Sequence, residues 1–178
     1  MSRSIELYLI RHGIAVERSP ESSDAERCLT DFGKQKTKQI AHRLAQLSLQ
    51  FDELLTSPLV RAEQTAAILH QAGLAKKISI CPFLAPGGSF QAWLIWLAHW
   101  PATQVAQGAI APPDSPQRLA LVGHQPDLGA WAECLLWGHP GDKLVLKKAG
   151  IIGLSVLDTS SPVGNTMLFW LTPPKLLR

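Results

Sequence analysis

The sequence predicts an α/β protein of three layers, in which a mainly parallel central sheet is flanked by helices. Short apolar segments, typical of buried strands, alternate along most of the chain with segments of helical periodicity. This alternation is typical of parallel strands that are covered by helices on both faces. The chain has 178 residues, of which 46% are hydrophobic, enough for one well-buried domain and few for two. We therefore expect a single domain over residues 1–178.

The first elements are a strand, a loop and a helix. Residues 5–10 form an apolar run that predicts a buried strand, ending at Arg11-His12-Gly13. The polar segment 17–27 contains a proline and is predicted to be a loop. A helix follows Thr30, a suitable N-cap. Its apolar face is expected to carry Ile40, Leu44 and Leu47.

The middle of the chain predicts strands over 51–56 and 78–81. The dipeptide Ser57-Pro58 between them is typical of a helix start, with serine as N-cap and proline at the first helical position. This helix is expected to end near Gly73, a natural C-cap.

Residues 90–100 are apolar on nearly every side, which predicts a largely buried helix with a core stripe of Trp93, Trp96 and Trp100. Pro101 is expected to end this helix. Segment 102–116 has no periodicity and is predicted to be a long surface connection.

The last third repeats the opening pattern. An apolar strand over 119–122 ends in Gly123-His124, and a helix is predicted over 125–137. Strands are expected over 151–157 and 167–171, and the tail after Pro174 is expected to be peripheral.

Polar side chains follow three of the predicted strands. Arg11 and His12 follow the first, Ser57 and Arg61 the second, and His124 the late one. The carboxyl ends of parallel strands meet at one rim of a sheet, where ligands bind. A single histidine is more often structural, and Arg61 alone is as often a solvated cation. The convergence of two arginines and two histidines at one rim therefore carries the prediction of a phosphate pocket.

These residue types suit phosphoryl chemistry. Two guanidinium groups can bind phosphate oxygens bidentately, and Gly13 lets the backbone turn and approach a ligand. A neutral imidazole at His12 can attack phosphorus, while His124, if protonated, can stabilise the transition state. Arg61 in the first turn of its helix opposes the helix dipole unless an anion binds there.

Five short motifs carry a resemblance to a known family. They are Arg11-His12-Gly13; Leu29-Thr30 with Gly33; Ser57-Pro58 with Arg61-Ala62 and Gln64-Thr65; Leu84-Ala85-Pro86-Gly87; and Leu121-Val122-Gly123-His124. Their order and spacing resemble the histidine phosphatase superfamily, of phosphoglycerate mutase-like fold, and within it the small SixA-type phosphohistidine phosphatases. The resemblance covers roughly the whole chain.

The resemblance implies that His12 is transiently phosphorylated and that water then releases phosphate. Arg11, Arg61 and His124 would hold the phosphoryl group, with Gly13 beside it. It also implies that the enzyme needs no metal and no other cofactor. Asp24 and Arg27 resemble positions where polar residues approach the pocket, although a solvated loop is the more common outcome. Ser57 is a further accessory candidate.

Larger members of the superfamily carry an acidic residue after the third strand. Residues 84–90 of this chain contain no carboxylate. Phosphohistidine has a better leaving group than a phosphate ester, so the missing acid favours a phosphorylated histidine of a signalling protein as substrate. A small-molecule phosphomonoesterase and a non-catalytic module that binds phosphorylated histidine domains are the alternatives.

Composition and charge indicate the class of partner and the cellular compartment. The formal charge of +3 suits an anionic substrate, and the chain lacks the dense basic runs of a nucleic-acid binder. Three widely spaced cysteines outside any CxxC pattern predict free thiols in a reducing cytoplasm. No segment is typical of a signal peptide or a membrane span.

Lys147 and Lys148 would either border the pocket mouth, where they would attract an acidic partner, or lie in a solvated turn.

Overall fold

The computed structural model describes residues 4–20, 23–106 and 115–177. Every predicted strand and helix is found in these ranges. The strands are β1 Ile5–Arg11, β2 Glu53–Thr56, β3 Ile78–Ile80, β4 Gln117–Gly123, β5 Ile151–Val156 and β6 Thr166–Thr172. The helices are α1 Asp31–Gln46, α2 Val60–Gln71, α3 Phe90–Ala106 and α4 Asp127–Trp137.

The six strands form one mixed sheet in the order β3-β2-β4-β1-β5-β6. The four strands from β3 to β1 run parallel to one another. Strand β5 is antiparallel to β1, and β6 is antiparallel to β5. No helix lies between β5 and β6, so a loop suffices to join these antiparallel neighbours. The predicted fold class, a mainly parallel sheet flanked by helices, is confirmed.

Successive side chains of β1 contribute to the cores on the two opposite faces of the sheet. Tyr8 and Ile10 pack into a cluster that contains buried residues of α1 and α2. Leu7 and Leu9 pack into a second cluster with residues of α3 and α4. Because successive side chains of a strand point to opposite faces, one apolar strand anchors both helical layers.

Helix α1 begins as predicted. The Thr30 side chain accepts a hydrogen bond from the backbone N–H of Gly33 at 2.9 Å, and Ile40 and Leu44 are buried. Leu47 was expected on the same face but is exposed. The helix ends at Gln46, so Leu47 is the C-cap and no longer follows the apolar face.

The start of α2 differs from the prediction. Ser57 is not the N-cap; Leu59 is, and the helix begins at Val60. The Ser57 hydroxyl accepts a hydrogen bond from the Leu59 N–H at 3.3 Å, within a tight turn before the helix. Its backbone N–H still donates to Val122 of β4 at 2.9 Å, so Ser57 continues the sheet instead of starting the helix.

Two predictions for α3 are wrong. The helix runs through Pro101 to Ala106, since a proline removes only its own backbone donor while the flanking residues stay helical. The helix is also less buried than its composition suggests: Trp93 and Trp100 are buried in the core, Trp96 only in part, and Ile95 is 67% exposed. The predicted surface connection lies partly in α3, and residues 107–114 of it are outside the described ranges.

The C-terminal tail is not peripheral as predicted, because Leu177 is buried in the core cluster under α1 and α2.

All three cysteines are free, as expected. None of the helices within the described ranges has the length and apolar character needed to cross a bilayer.

Candidate active site

The strand order brings the predicted residues to one rim. Strands β2, β4 and β1 are neighbours, so the residues that follow their carboxyl ends lie side by side. The rings of His12 and His124 have centroids 5.1 Å apart. The backbone N–H of His12 donates to Gly123 at 3.0 Å, which fixes the two histidine-bearing strand ends relative to each other. The expected convergence at one edge of the sheet is thus found.

His12 is held in one orientation. Its Nδ1 lies 2.7 Å from the carbonyl oxygen of Gly13. A carbonyl only accepts, so Nδ1 carries the proton and Nε2 keeps its lone pair. The ring is 6% exposed. Burial is the main cause that lowers the pKa of His12 to about 3, with smaller contributions from His124, Arg61 and Arg11. Near neutral pH this imidazole is uncharged.

Gly13 serves packing instead of opening its backbone toward a ligand. Its N–H donates to the Thr65 hydroxyl at 3.0 Å. A Cβ at this position would lie 2.5 Å from the Thr37 hydroxyl, so only glycine fits. The predicted phosphate contact of Gly13 therefore has its backbone donor engaged elsewhere in this structure.

Arg11 is anchored by its far end. Its Nη1 donates to the carbonyl oxygen of Leu146 at 2.7 Å. Its Nε is buried and has no partner among the described residues. The arginine therefore keeps its Nε–H donor unused within the described structure.

Arg61 is anchored in the same way by the loop before α1. Its Nη1 donates to the backbone carbonyl of Asp24 at 2.6 Å, and its Nη2 to the Asp24 carboxylate at 2.9 Å. Asp24 also accepts from Arg27 at 2.8 Å. These two arginines lower the pKa of Asp24 to about 2. Asp24 and Arg27 thus contact the site through Arg61, and Asp24 stays an anion that orients a cation.

His124 is the second buried imidazole. Its Nε2 lies 2.8 Å from the Ser57 hydroxyl, and its Nδ1 is buried without a partner in the described part of the chain. Burial and Arg61 lower the pKa of His124 to about 4, against a smaller opposing effect of Asp24. The ring is therefore neutral near pH 7, which differs from the protonated form considered from the sequence.

Several residues of the site carry buried polar atoms without a partner. Six buried side-chain nitrogen or oxygen atoms of the described residues have no hydrogen-bond partner, and three of them belong to Arg11, Arg61 and His124. Besides burial, Arg11 and Arg61 both lower the pKa of His12 and of His124, so these four side chains are neighbours. Buried polar atoms are normally paired, so three unpaired nitrogens on neighbouring residues are typical of a site that binds an oxyanion. The geometry can hold a phosphoryl group beside Nε2 of His12.

Two further motif residues hold the surrounding loops. Gln64 accepts the backbone N–H of Leu29 at 2.7 Å, and Thr65 accepts that of Gly13. Both lie on α2 beside Arg61, so one helix fixes the arginine and the loops around it. No sequence signal assigned these contacts, because each joins residues more than thirty positions apart.

Of the two candidate lysines, only Lys148 approaches the site. Lys147 is exposed, whereas Lys148 is half-buried. The next residue, Ala149, has a φ of 62° and donates its N–H to the carbonyls of Arg11 and His12 at 3.0 and 3.1 Å. Burial and three neighbouring arginines, foremost Arg11, lower the pKa of Lys148.

The site holds no evident metal ligands. Within the described ranges, no three His, Cys, Asp or Glu side chains lie close enough together to bind a metal ion. The segment 84–90, which lacks a carboxylate of its own, contacts one: the Gly87 N–H donates to the Asp127 carboxylate at 3.1 Å.

Comparisons with known proteins bear on the family of this chain. Residues 7–84 match the model of the histidine phosphatase superfamily, branch 1. An uncharacterized protein of Picosynechococcus sp. is 48% identical over 174 residues, which cover 97% of this chain and 99% of that protein.

Solved structures share the fold. The protein histidine phosphatase SixA in complex with tungstate superposes with a TM-score of 0.76 at 24% identity, covering 97% of this chain and 99% of SixA. A mycobacterial glucosyl-3-phosphoglycerate phosphatase superposes with a TM-score of 0.64 at 20% identity, covering 96% of this chain and all of that one.

Fold and site together define an α/β protein that presents a neutral histidine beside two guanidinium groups. The chain belongs to the histidine phosphatase superfamily, and its fold is that of the SixA-type members.

Proposed function

We propose that this protein is a phosphohistidine phosphatase that acts in the cytoplasm without a metal ion. It removes the phosphoryl group from a phosphorylated histidine of a signalling phosphotransfer protein, through a covalent intermediate on His12. The observation that supports this most is the uncharged, oriented His12 beside three buried donors that have no partner in the described chain.

In the first step, Nε2 of His12 attacks phosphorus. The P–N bond of the substrate breaks as the bond between Nε2 and phosphorus forms, and the leaving imidazole takes a proton from solvent. Arg11, Arg61 and His124 donate hydrogen bonds to the phosphoryl oxygens while charge is redistributed among them. The hydrogen bond from Nδ1 to the Gly13 carbonyl aims the Nε2 lone pair at phosphorus before attack, and it stabilises the cationic ring afterwards.

In the second step, water attacks the phosphorylated His12 and phosphate leaves. A P–O bond forms as the P–Nε2 bond breaks, both protons of the water leave with the product as dihydrogen phosphate, and His12 returns to its neutral form. The low pKa of His12 favours this release, because burial and the nearby cations disfavour any positively charged state of the ring.

The substrate class follows from the leaving group. An alkoxide must be protonated as it departs, and the stretch that carries the acid in larger superfamily members has none here. Asp24 does not replace it, since its two arginine partners keep it ionised. An imidazole leaves far more readily and needs no strong acid, so a P–N substrate fits the site.

A small-molecule phosphomonoesterase is the second candidate. The structural likeness to the mycobacterial glucosyl-3-phosphoglycerate phosphatase supports this candidate, because the name of that enzyme specifies a phosphate ester as its substrate. A non-catalytic module that only binds phosphorylated histidine domains is disfavoured, because the complete set of two arginines and two histidines surrounds one position.

Trapping of the intermediate tests the nucleophile. After brief incubation with a 32P-labelled phosphohistidine protein and an alkaline quench, we expect label on the wild-type chain and none on the His12→Ala variant. The exposed His139 provides the control, since His139→Ala should label normally. Labelling of His12→Ala at the wild-type level would refute the assignment.

A substrate panel tests the specificity. A phosphorylated phosphotransfer domain should be hydrolysed with a higher kcat/KM than p-nitrophenyl phosphate or sugar phosphates. If an ester is the better substrate while trapping still depends on His12, the phosphomonoesterase replaces our first proposal. Binding of the phosphorylated domain without turnover would favour the non-catalytic module.

A further inference from the structure

Ser57 contacts His124 in a way that limits where protons can lie. The serine is fully buried at the end of β2. Its Oγ lies 2.8 Å from Nε2 of His124 and 3.3 Å from the backbone nitrogen of Leu59. The Leu59 N–H can only donate, so Oγ accepts there, and the hydroxyl proton remains available for one further bond.

Two arrangements of the Ser57–His124 contact are conceivable. If Nε2 of His124 carried the proton, Oγ would accept twice and its own hydroxyl proton would be buried without an acceptor in the described structure. If the hydroxyl donates to Nε2, every proton of Ser57 is used and the imidazole proton resides on Nδ1. The first arrangement leaves both the serine proton and the Nδ1 lone pair unpaired, whereas the second leaves only the Nδ1 proton, which a phosphoryl oxygen can accept. The second arrangement is therefore preferred, because fewer buried polar groups lack a partner.

The position of this proton determines what His124 can offer to a phosphoryl oxygen. Nδ1 of His124 is the atom without a partner among the described residues, as are Nε of Arg11 and Nε of Arg61. Both arginines lie close enough to His124 to add to the effect of burial in lowering its pKa. With its proton on Nδ1, the neutral ring presents a donor to a phosphoryl oxygen. With the proton on Nε2, it would present a lone pair, which repels that oxygen.

We propose that Ser57 is a positioning residue that fixes the tautomer of His124, so that the neutral imidazole offers an Nδ1–H donor to the phosphoryl group. This inference rests on the proposed function, because it assumes that His124 binds the transferred group. It explains why a serine that does not cap α2 is fully buried at the rim of the sheet.

The tautomer can be observed directly. Protein labelled with 15N at histidine is examined at pH 7, where burial holds the pKa of His124 near 4 and the ring is neutral. Long-range 1H–15N spectra distinguish a protonated from an unprotonated ring nitrogen, and the His124→Gln variant identifies the signals. We expect a protonated Nδ1 and an unprotonated Nε2. A protonated Nε2 in the wild-type protein overturns the proposal without the need for any variant of Ser57.

Variants then test whether the tautomer matters for binding. In Ser57→Ala the tautomer preference should be lost, and vanadate affinity and kcat should both fall on the order of 10-fold to 100-fold. Ser57→Thr keeps the hydroxyl and should restore the Nδ1–H signal and most of the affinity. Thr166→Val serves as the matched control, since it removes a buried hydroxyl that donates to the carbonyl oxygen of Pro162 at 2.8 Å. It should change neither the tautomer nor the affinity.

Failure of this inference and failure of the proposed function have different signatures. If Ser57→Ala keeps both the tautomer and the vanadate affinity, the positioning role is wrong, whatever the enzyme hydrolyses. If trapping on His12 fails while the wild-type tautomer and the vanadate affinities behave as described, the proposed reaction is wrong and the oxyanion site remains.

Discussion

The two histidines of the site are set apart from ordinary histidines by burial. Each is nearly enclosed, and each is surrounded by guanidinium groups that make a further positive charge unfavourable. The pKa of both rings therefore lies below the usual value near 6.5. A nucleophile prepared in this way needs no separate base, because it has no proton on Nε2 to lose.

We expect NMR to show this directly for His12. Its ring signals should not titrate between pH 8 and 5, whereas in the urea-unfolded protein every histidine should titrate near pH 6.5. The His12→Asn variant identifies the signals. A midpoint for His12 above pH 6 in the folded protein would contradict the neutral nucleophile.

Arg61 is the residue whose loss should affect binding most clearly. Removing its fork in Arg61→Ala should weaken vanadate binding by about 10-fold to 100-fold, since a hydrogen bond to a charged group contributes roughly 1.5–3 kcal/mol. Arg61→Lys should recover little, because an ammonium cannot bond Asp24 and the ligand with the same planar geometry. Isothermal calorimetry measures the affinity.

The control for Arg61 is Arg43→Ala, which removes one positive charge from the exposed end of α1. It should leave affinity unchanged, and circular dichroism should show that both variants are folded. Normal vanadate affinity in folded Arg61→Ala would mean that the oxyanion does not bind there.

For single residues, the sequence predicts the site side chains that follow strands, but it does not predict the residues that hydrogen-bond to them. Arg11, His12, Arg61 and His124 could be found because a strand ends just before each one or before its helix. The anchoring of Arg61 by Asp24 could not, since it joins residues 37 positions apart and no periodicity marks such a pair.

At the scale of elements, the junction between β1 and α1 is held by close backbone contact. A Cβ on Gly33 would lie 2.0 Å from the carbonyl oxygen of Ile14. That carbonyl already accepts the Thr30 N–H at 3.0 Å, so it cannot move freely. The loop that follows His12 is thus fitted against the first turn of α1.

The substitution Gly33→Ala should therefore destabilise the protein, although alanine is the better helix former by about 1 kcal/mol. We expect a loss of roughly 1–3 kcal/mol in the free energy of unfolding, as for other overpacked sites, together with lower activity. Urea unfolding measures the first and phosphatase assays the second. Gly141→Ala is the control: its nearest neighbours lie at 3.8 Å, so the change should stay within about 0.5 kcal/mol.

The errors in predicting elements have local causes. Ser57-Pro58 has the residue types of a helix start, but the serine is still paired with β4 and the helix begins three residues later. Pro101 has the residue type of a helix end, but the chain continues in helix for five more residues. Residue preferences are weak next to the tertiary contacts that surround them.

For the whole molecule, periodicity predicts layers but not strand order. That β4 lies between β1 and β2 is what brings His124 between the other strand ends, and no local pattern encodes it. The antiparallel direction of β5 is likewise not encoded by a local pattern, and the connection before it is held by backbone hydrogen bonds to the side chains of Arg11 and Glu133. The site could be predicted in spite of this, because parallel strands with helical crossovers always bring their carboxyl ends to one edge.

Acid stability is a property of the whole molecule that follows from the two neutral histidines. Below pH 6.5 the unfolded chain protonates both residues, while the folded chain resists until its lower values of about 3 and about 4. The unfolded state then binds more protons, so the free energy of unfolding must fall as the pH decreases from 6.5. Each histidine contributes a slope of up to about 1.4 kcal/mol per pH unit.

Urea unfolding between pH 7 and 5 measures this slope, in a range where the carboxylates of the site stay ionised in the folded protein. The double variant His12→Asn/His124→Asn lacks both groups and should lose most of the dependence on pH, while either single variant should lose about half. A double variant with the same slope as the wild-type chain would show that the two rings accept protons without unfolding, and the neutral pair at the centre of the proposed mechanism would then be wrong.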